Sequence, residues 1–232
     1  MEFLPNGFTL ELAEGTFPLS TDSMVLSDYV RLSRNARVLD LGSGCGTLGI
    51  LLCARNPFCT VTGVELTEIA HRAAVENIRR NGLEHRMESI CADLRTVPDF
   101  IRPGSYTCCV SNPPYFSGGP ASASLPTARR EDCCTPCQLF RSAAWAVKYG
   151  GDFFLVHRPE RLAQLIALGA ANGLEAKGLM LLRHRTDSDV NLIFLHFRKG
   201  AKPGLRLEEM ALYHPDGSPT EDFRRIYHHK EA

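Results

Sequence analysis

From Arg37 onward, short apolar and β-branched runs alternate with longer segments whose apolar residues recur every three to four positions. The short runs predict buried strands and the longer segments predict helices. The predicted strands are 37–41, 60–65, 87–91, 106–111, 151–156, 174–184 and 191–197, and the predicted helices are 48–55, 68–80, 138–149 and 160–172. This alternation is typical of an α/β protein with a mostly parallel sheet between helices.

Glycines at the expected helix ends support these boundaries. Asn81-Gly82, Gly150-Gly151 and Asn172-Gly173 follow three of the predicted helices. Residues 199–219 are rich in Pro and Gly and predict a connection to a short helix over 220–228. With 232 residues and no internal repeat, the chain fits one large domain.

The composition excludes few classes of function. The chain has 26 basic and 26 acidic residues and a pI near 7.1, so the whole molecule does not attract nucleic acid. An RNA substrate stays open if arginines cluster on one face of the fold. No apolar run approaches the roughly 18 residues of a membrane span, and residues 1–20 lack a secretory signal. We expect no membrane association and a cytoplasmic protein.

The nine cysteines include two adjacent pairs, Cys108-Cys109 and Cys133-Cys134, and a chain of this size needs no disulfides. Free thiols are the simpler interpretation. Cys134 and Cys137 have CxxC spacing, but no second ligand pair follows, so we expect no metal.

A glycine-rich turn follows the first predicted strand. Asp40 lies near the strand's end, and Gly42, Gly44 and Gly46 follow it before a helix begins. Glycines allow a ligand to approach the backbone, and the helix start offers free N–H groups. Glu65 ends the next strand, where a carboxylate can accept hydrogen bonds from both hydroxyls of a ribose.

This pattern would also suit NAD, but Asp40 favours S-adenosylmethionine. A carboxylate beside the glycines would repel a pyrophosphate, whereas S-adenosylmethionine has no phosphate and carries an ammonium group. Asp93, after the third strand, is placed to accept a hydrogen bond from the adenine amino group. The alternative for Asp93 is a helix N-cap.

The fourth predicted strand leads into Asn112-Pro113-Pro114-Tyr115. The prolines stiffen the loop and leave carbonyls rather than donors. The Asn112 side-chain oxygen and the Pro113 carbonyl can accept both protons of an NH₂ group, which directs its lone pair toward a methyl donor. Tyr115 offers a ring on which a planar base or amide can stack.

These motifs resemble the class I methyltransferases with an NPPY loop. Matches flanking them, at 20–23, 128–131, 156–162 and 213–227, resemble the bacterial tRNA1(Val) adenine-37 N6 methyltransferases. The resemblance implies a Rossmann-like, seven-stranded, mostly parallel sheet with its last strand antiparallel and helices on both faces. It also implies that Thr21 and Asp22 lie beside the cofactor or catalytic loop, and that Arg129 and Glu131 lie on the substrate side.

We therefore expect residues 36–200 to form the methyltransferase domain. Residues 1–35 are expected to cover the cofactor site, and residues 201–232 to pack on the same domain. The function implied is methylation of adenine N6 in a structured RNA, most plausibly tRNA. Alternatives are a protein glutamine methyltransferase and a non-catalytic scaffold that binds S-adenosylmethionine.

Overall fold

A computed structural model describes residues 2–4, 7–12, 19–113 and 134–227. All seven predicted strands lie in one sheet, and an eighth joins them. Its strands are β3 (Arg37–Leu41), β4 (Thr60–Glu65), β5 (Met87–Cys91), β6 (Tyr106–Ser111), β7 (Val147–His157), β8 (Leu174–Arg185), β9 (Val190–Lys199) and β10 (Arg206–Tyr213); β1 (Glu2–Phe3) and β2 (Thr9–Leu10) form a separate hairpin.

The strands of the large sheet are ordered β10-β8-β9-β7-β6-β3-β4-β5. All neighbours are parallel except β9, which is antiparallel to both β7 and β8. The α/β class and the antiparallel strand are confirmed. The eighth strand, β10, comes from the segment expected to be a connection, because an exposed edge strand needs little apolar alternation.

Helices cover both faces of the sheet. The helices are α1 (Thr21–Tyr29), α2 (Thr47–Arg55), α3 (Glu68–Arg80), α4 (Val97–Phe100), α5 (Pro136–Ala146), α6 (Leu162–Ala171) and α7 (Glu221–Tyr227). Successive strand residues alternate between two cores, so Phe154 packs with α1 and α2 while Phe153 packs with α5 and α6. None of the helices within the described ranges is long and apolar enough to cross a membrane.

The helix predicted over 138–149 ends earlier, at Ala146. Val147 takes an extended conformation and pairs with Tyr106, so β7 begins there. Gly150 adopts a φ of 74° within the strand. The glycine pair therefore lies in an irregular stretch of β7 rather than at a helix end.

Asn77 joins the N-terminal segment to the body of the protein. Its side chain is fully buried on α3. Its oxygen accepts from the Glu11 amide at 2.8 Å, and its NH₂ group donates to the carbonyls of Glu11 and Cys45 at 2.8 and 3.0 Å. One amide thus fixes residues before α1 and the glycine-rich turn to the same helix.

Two polar contacts connect α1 to α7 at the other end of the chain. The Tyr227 hydroxyl donates to Thr21 Oγ1 at 3.1 Å. Asp28 pairs with Arg225 and, at 3.1 Å, with Arg55 of α2. The terminal segments therefore pack against the central domain and against each other.

Candidate active site

The turn after β3 passes through three glycines with left-handed backbone angles. Gly42, Gly44 and Gly46 have φ values of 76°, 55° and 83°, which side-chain-bearing residues rarely adopt. The amides of Gly42 and Ser43 donate to the Val64 carbonyl at 2.9 and 3.1 Å. A methyl group built on Gly42 or Gly44 would meet nothing described within 4 Å. The backbone of the turn therefore borders open space.

Asp40, two residues before the first of these glycines, is buried, with 1% of its surface exposed. Burial raises its pKa to about 7; nearby Glu65 adds to the rise, and the Gly49 amide opposes it. Within the described parts of the chain, nothing hydrogen-bonds to its Oδ2 atom. A buried oxygen without a donor is costly, and the ammonium group of a zwitterionic cofactor fits this position.

Glu65 is held beside the turn by three hydrogen bonds. Its Oε2 accepts from the Gly44 amide at 3.0 Å, and its Oε1 accepts from the amide and hydroxyl of Thr67 at 2.9 and 2.7 Å. A carboxylate has about four acceptor sites, so ribose hydroxyls can also donate to it. Contact with a ribose stays a prediction.

Asp93 caps the short helical turn Leu94–Thr96. Its carboxylate accepts from the amide and the Nε of Arg95 at 2.8 and 2.7 Å. Burial raises the pKa of Asp93, but the bonds from Arg95 outweigh this effect and leave the pKa below its ordinary value. The structure thus contains the N-cap that was the alternative interpretation, and an adenine contact stays a prediction.

The order of the strands reverses direction between β3 and β6, at the carboxyl edge of the sheet. These strands are neighbours, but the chain continues from β3 to β4 on one side and from β6 to β7 on the other, and ligands bind at such a reversal. The Ser111 hydroxyl joins the two strand ends by donating to the Leu41 carbonyl at 2.7 Å. Gly42 follows Leu41 and Asn112 follows Ser111, so the glycine turn and the proline loop leave the sheet from neighbouring strand ends.

The side chain of Asn112 is partly buried, and Pro113 is buried. Asn112 Nδ2 donates to the hydroxyl of Ser23 at 3.0 Å. Thr21 and Asp22 occupy the same first turn of α1 as Ser23. The start of this helix is therefore brought to the loop after β6, while direct contact of Thr21 or Asp22 with the cofactor stays a prediction.

Four predicted site residues, Pro114, Tyr115, Arg129 and Glu131, lie outside the described residues, as does Cys133. Within the described ranges, no group of three His, Cys, Asp or Glu side chains could hold a metal ion.

Three residues that the sequence did not predict contact the candidate site: Ser23 bonds to Asn112, Thr67 to Glu65, and Asn77 to the Cys45 carbonyl in the glycine turn. The available signal for Ser23 was its place in the flanking match at 20–23, within one turn of Thr21. Thr67 and Asn77 carried no signal, because their roles depend on contacts made in the folded chain.

The sheet order, the glycine turn after β3 and the acid ending β4 together define an S-adenosylmethionine-dependent methyltransferase of class I. A family model described as "Methyltransferase small domain" matches residues 19–173. The chain belongs to this family, and S-adenosylmethionine is its cofactor.

Relatives and solved structures agree with this assignment. A curated relative from Tolumonas auensis, named tRNA1(Val) (adenine(37)-N6)-methyltransferase, is 31% identical over 209 residues, which cover 88% of this chain and 86% of that protein. A relative of the same name from Serratia proteamaculans is 28% identical over 90% of this chain and 81% of its own length. A crystal structure from Agrobacterium tumefaciens, titled a predicted O-methyltransferase, has a TM-score of 0.75 at 21% identity and covers 89% of this chain and 95% of its own. At that identity the structural match supports the fold alone.

Proposed function

We propose that this enzyme transfers a methyl group from S-adenosylmethionine to the exocyclic N6 of an adenine in structured RNA, with tRNA as the RNA class. The observation that carries the proposal is the position of Asn112, which follows β6 at the same edge of the sheet where the glycine turn follows the neighbouring strand β3. Asn112 and the glycine turn thus both border the space in which an acceptor nitrogen and a methyl donor would meet.

The acceptor chemistry follows from the groups that the loop presents. The bound cofactor supplies an electrophilic methyl group on sulfur. Asn112 Oδ1 and the Pro113 carbonyl each accept a hydrogen bond from one N–H of the substrate amine. The nitrogen lone pair then points toward that methyl group. A nitrogen–carbon bond forms as the sulfur–carbon bond breaks, and the methylated nitrogen then loses one proton to the loop or to solvent. No strong base is required.

The charges at this edge of the sheet do not by themselves favour RNA as the substrate. At the carboxyl edge of the sheet, Arg183 and Arg185 of β8 are followed closely by Asp187 and Asp189. Arg185 is paired with Asp187 at 3.0 Å. The choice of adenine in tRNA rests instead on the loop chemistry and on the relatives named for that reaction.

The test uses labelled S-adenosylmethionine, the purified protein and unfractionated bacterial tRNA, with digestion of the RNA to nucleosides. We expect label in N6-methyladenosine. Asn112→Ala should lower the initial rate by about 100-fold or more, while cofactor affinity changes little. Asn172→Ala, at the end of α6 and bonded there to the Leu168 carbonyl, is the matched control and should retain the wild-type rate.

Two results would overturn the proposal. Label in a glutamine of a protein substrate, with none in RNA, would favour the glutamine methyltransferase. Full activity of Asn112→Ala would mean that the acceptor nitrogen does not bind at Asn112.

A further inference from the structure

The pairing of Asn112 with α1 has a consequence for how the catalytic amide is oriented. An asparagine side chain presents an oxygen on one side and an NH₂ group on the other, and the two interchange when χ2 turns by 180°. Under the proposed function, only the oxygen can accept a hydrogen bond from the substrate amine. Some neighbouring group must therefore hold the NH₂ group away from the substrate.

Ser23 is the residue in position to do this. Its hydroxyl accepts from Asn112 Nδ2 at 3.0 Å, and Ser23 is only 7% exposed. This contact ties the amide through its nitrogen, so Oδ1 lies on the other side of the planar group.

The helix that carries Ser23 is itself firmly held. Ser20 caps α1 by accepting from the Ser23 amide at 3.3 Å. Beyond this cap, Thr21 is bonded to Tyr227, and Asp28 is paired with Arg55 and Arg225. The Ser23 hydroxyl also lies 3.5 Å from the Ser20 hydroxyl. With its proton directed to Ser20, the Ser23 oxygen is an acceptor and selects the NH₂ group of Asn112.

We infer that Ser23 is a positioning residue, which orients the Asn112 amide so that its oxygen faces the acceptor nitrogen. This inference rests on the proposed function. A misorientation of about 1 Å in a catalytic group can cost about 100-fold in rate. Ser23→Ala should therefore lower the single-turnover rate on unfractionated tRNA by about 10- to 100-fold, with cofactor affinity unchanged within twofold.

Two further variants separate positioning from loss of structure. Ser23→Thr keeps the hydroxyl and should restore most of the rate. Ser27→Ala removes a buried hydroxyl one turn later on the same helix, where it donates to the Met24 carbonyl at 2.7 Å, and should leave the rate within about twofold. If Ser27→Ala lowers the rate as much as Ser23→Ala, the effect is structural and the inference fails.

A double-variant experiment tests whether Ser23 acts through Asn112. Asn112→Asp replaces the NH₂ group by a second oxygen, so a turn of the side chain no longer matters. Ser23→Ala added to Asn112→Asp should then cost less than threefold. The same large loss in both backgrounds would overturn the inference.

An NMR measurement tests the contact without any RNA. In protein labelled with ¹⁵N-asparagine, the side-chain NH₂ signals lost in Asn112→Asp belong to Asn112. We expect their hydrogen exchange to be at least tenfold faster in Ser23→Ala than in wild type, and unchanged in Ser27→Ala. Equal exchange in Ser23→Ala and wild type would refute the contact. An inactive Asn112→Ala beside a fully active Ser23→Ala would refute the inference alone, whereas a fully active Asn112→Ala would refute the proposed function.

Discussion

The buried carboxyl group of Asp40 makes the stability of the fold depend on pH. Its ordinary pKa is 3.8, and burial followed by the effect of Glu65 raises it to about 7. Between these values the folded protein holds a proton that the unfolded chain releases. Asp40 therefore lowers the free energy of unfolding as pH rises through this window, and its contribution is constant above about pH 7.

We predict that cofactor binding releases this proton, because an ammonium group near Asp40 favours the ionised carboxylate. Affinity for S-adenosylmethionine should rise between pH 5.5 and 7, by up to about tenfold per unit. Calorimetry in buffers of different ionisation enthalpy measures the protons released. Asp40→Asn should bind more weakly and without this pH dependence. Wild-type binding that releases no proton at pH 6 would count against an ammonium contact at Asp40.

Gly44 and Gly82 form a matched pair for testing whether the cofactor approaches the glycine turn. Both have left-handed angles, with φ of 55° and 63°, and a methyl group on either would meet nothing described within 4 Å. Replacing either by alanine should cost about 1 kcal/mol of stability through backbone strain. Gly44→Ala should also weaken cofactor binding by about tenfold or more, equivalent to ~1.4 kcal/mol, because its methyl group enters the open space of the turn.

Calorimetry and urea denaturation on both variants separate these effects. Gly82→Ala should bind the cofactor as wild type does, since Gly82 lies at the end of α3. Equal affinities in the two variants would mean that the cofactor does not approach Gly44.

At the scale of elements, Asp28 of α1 joins both α2 and α7. The Asp28 side chain is 8% exposed and pairs with Arg55, whose side chain is 18% exposed, and with Arg225, whose side chain is 45% exposed. Removing Asp28 leaves Arg55 poorly hydrated, and loss of one partner of a buried pair costs about 3 kcal/mol or more. Removing Arg225 leaves the Asp28–Arg55 pair in place.

We therefore predict that Asp28→Ala lowers the free energy of unfolding by about 3 kcal/mol, and Arg225→Ala by about 1 kcal/mol or less. Urea denaturation followed by circular dichroism measures both values. A loss with Arg225→Ala that equals the loss with Asp28→Ala would mean that the contact with α7, rather than burial of Arg55, dominates.

The elements that the sequence predicted well are those whose burial leaves a regular pattern. Strands β3 to β6 have the predicted bounds, since each is short, apolar and closed by a polar or glycine-rich turn. Helix α1 was not predicted. It buries Ser23, Ser27 and Asp28 beside its apolar residues, so its buried face is not marked by apolar spacing. Its polar residues are buried because other elements supply their partners.

At the scale of the whole molecule, the fold class and the family followed from local motifs, while the relations between distant segments did not. The positions of Asp40 and Asn112 at neighbouring strand ends follow from strand order, which a glycine turn and a proline loop only suggest. Ser23 meets Asn112 across 89 residues of sequence. No spacing rule links two such positions.

The junction of α1 and α7 also bears on how the chain assembles. Its two side-chain contacts span 197 and 206 residues, and contacts so distant in sequence form late and slow folding. During synthesis α1 emerges early, but its partners on α7 emerge only after residues 221–227 have been made. The polar contacts between α1 and α7 can therefore form only after the last helix has been made, although α1 already packs against α2 in the core.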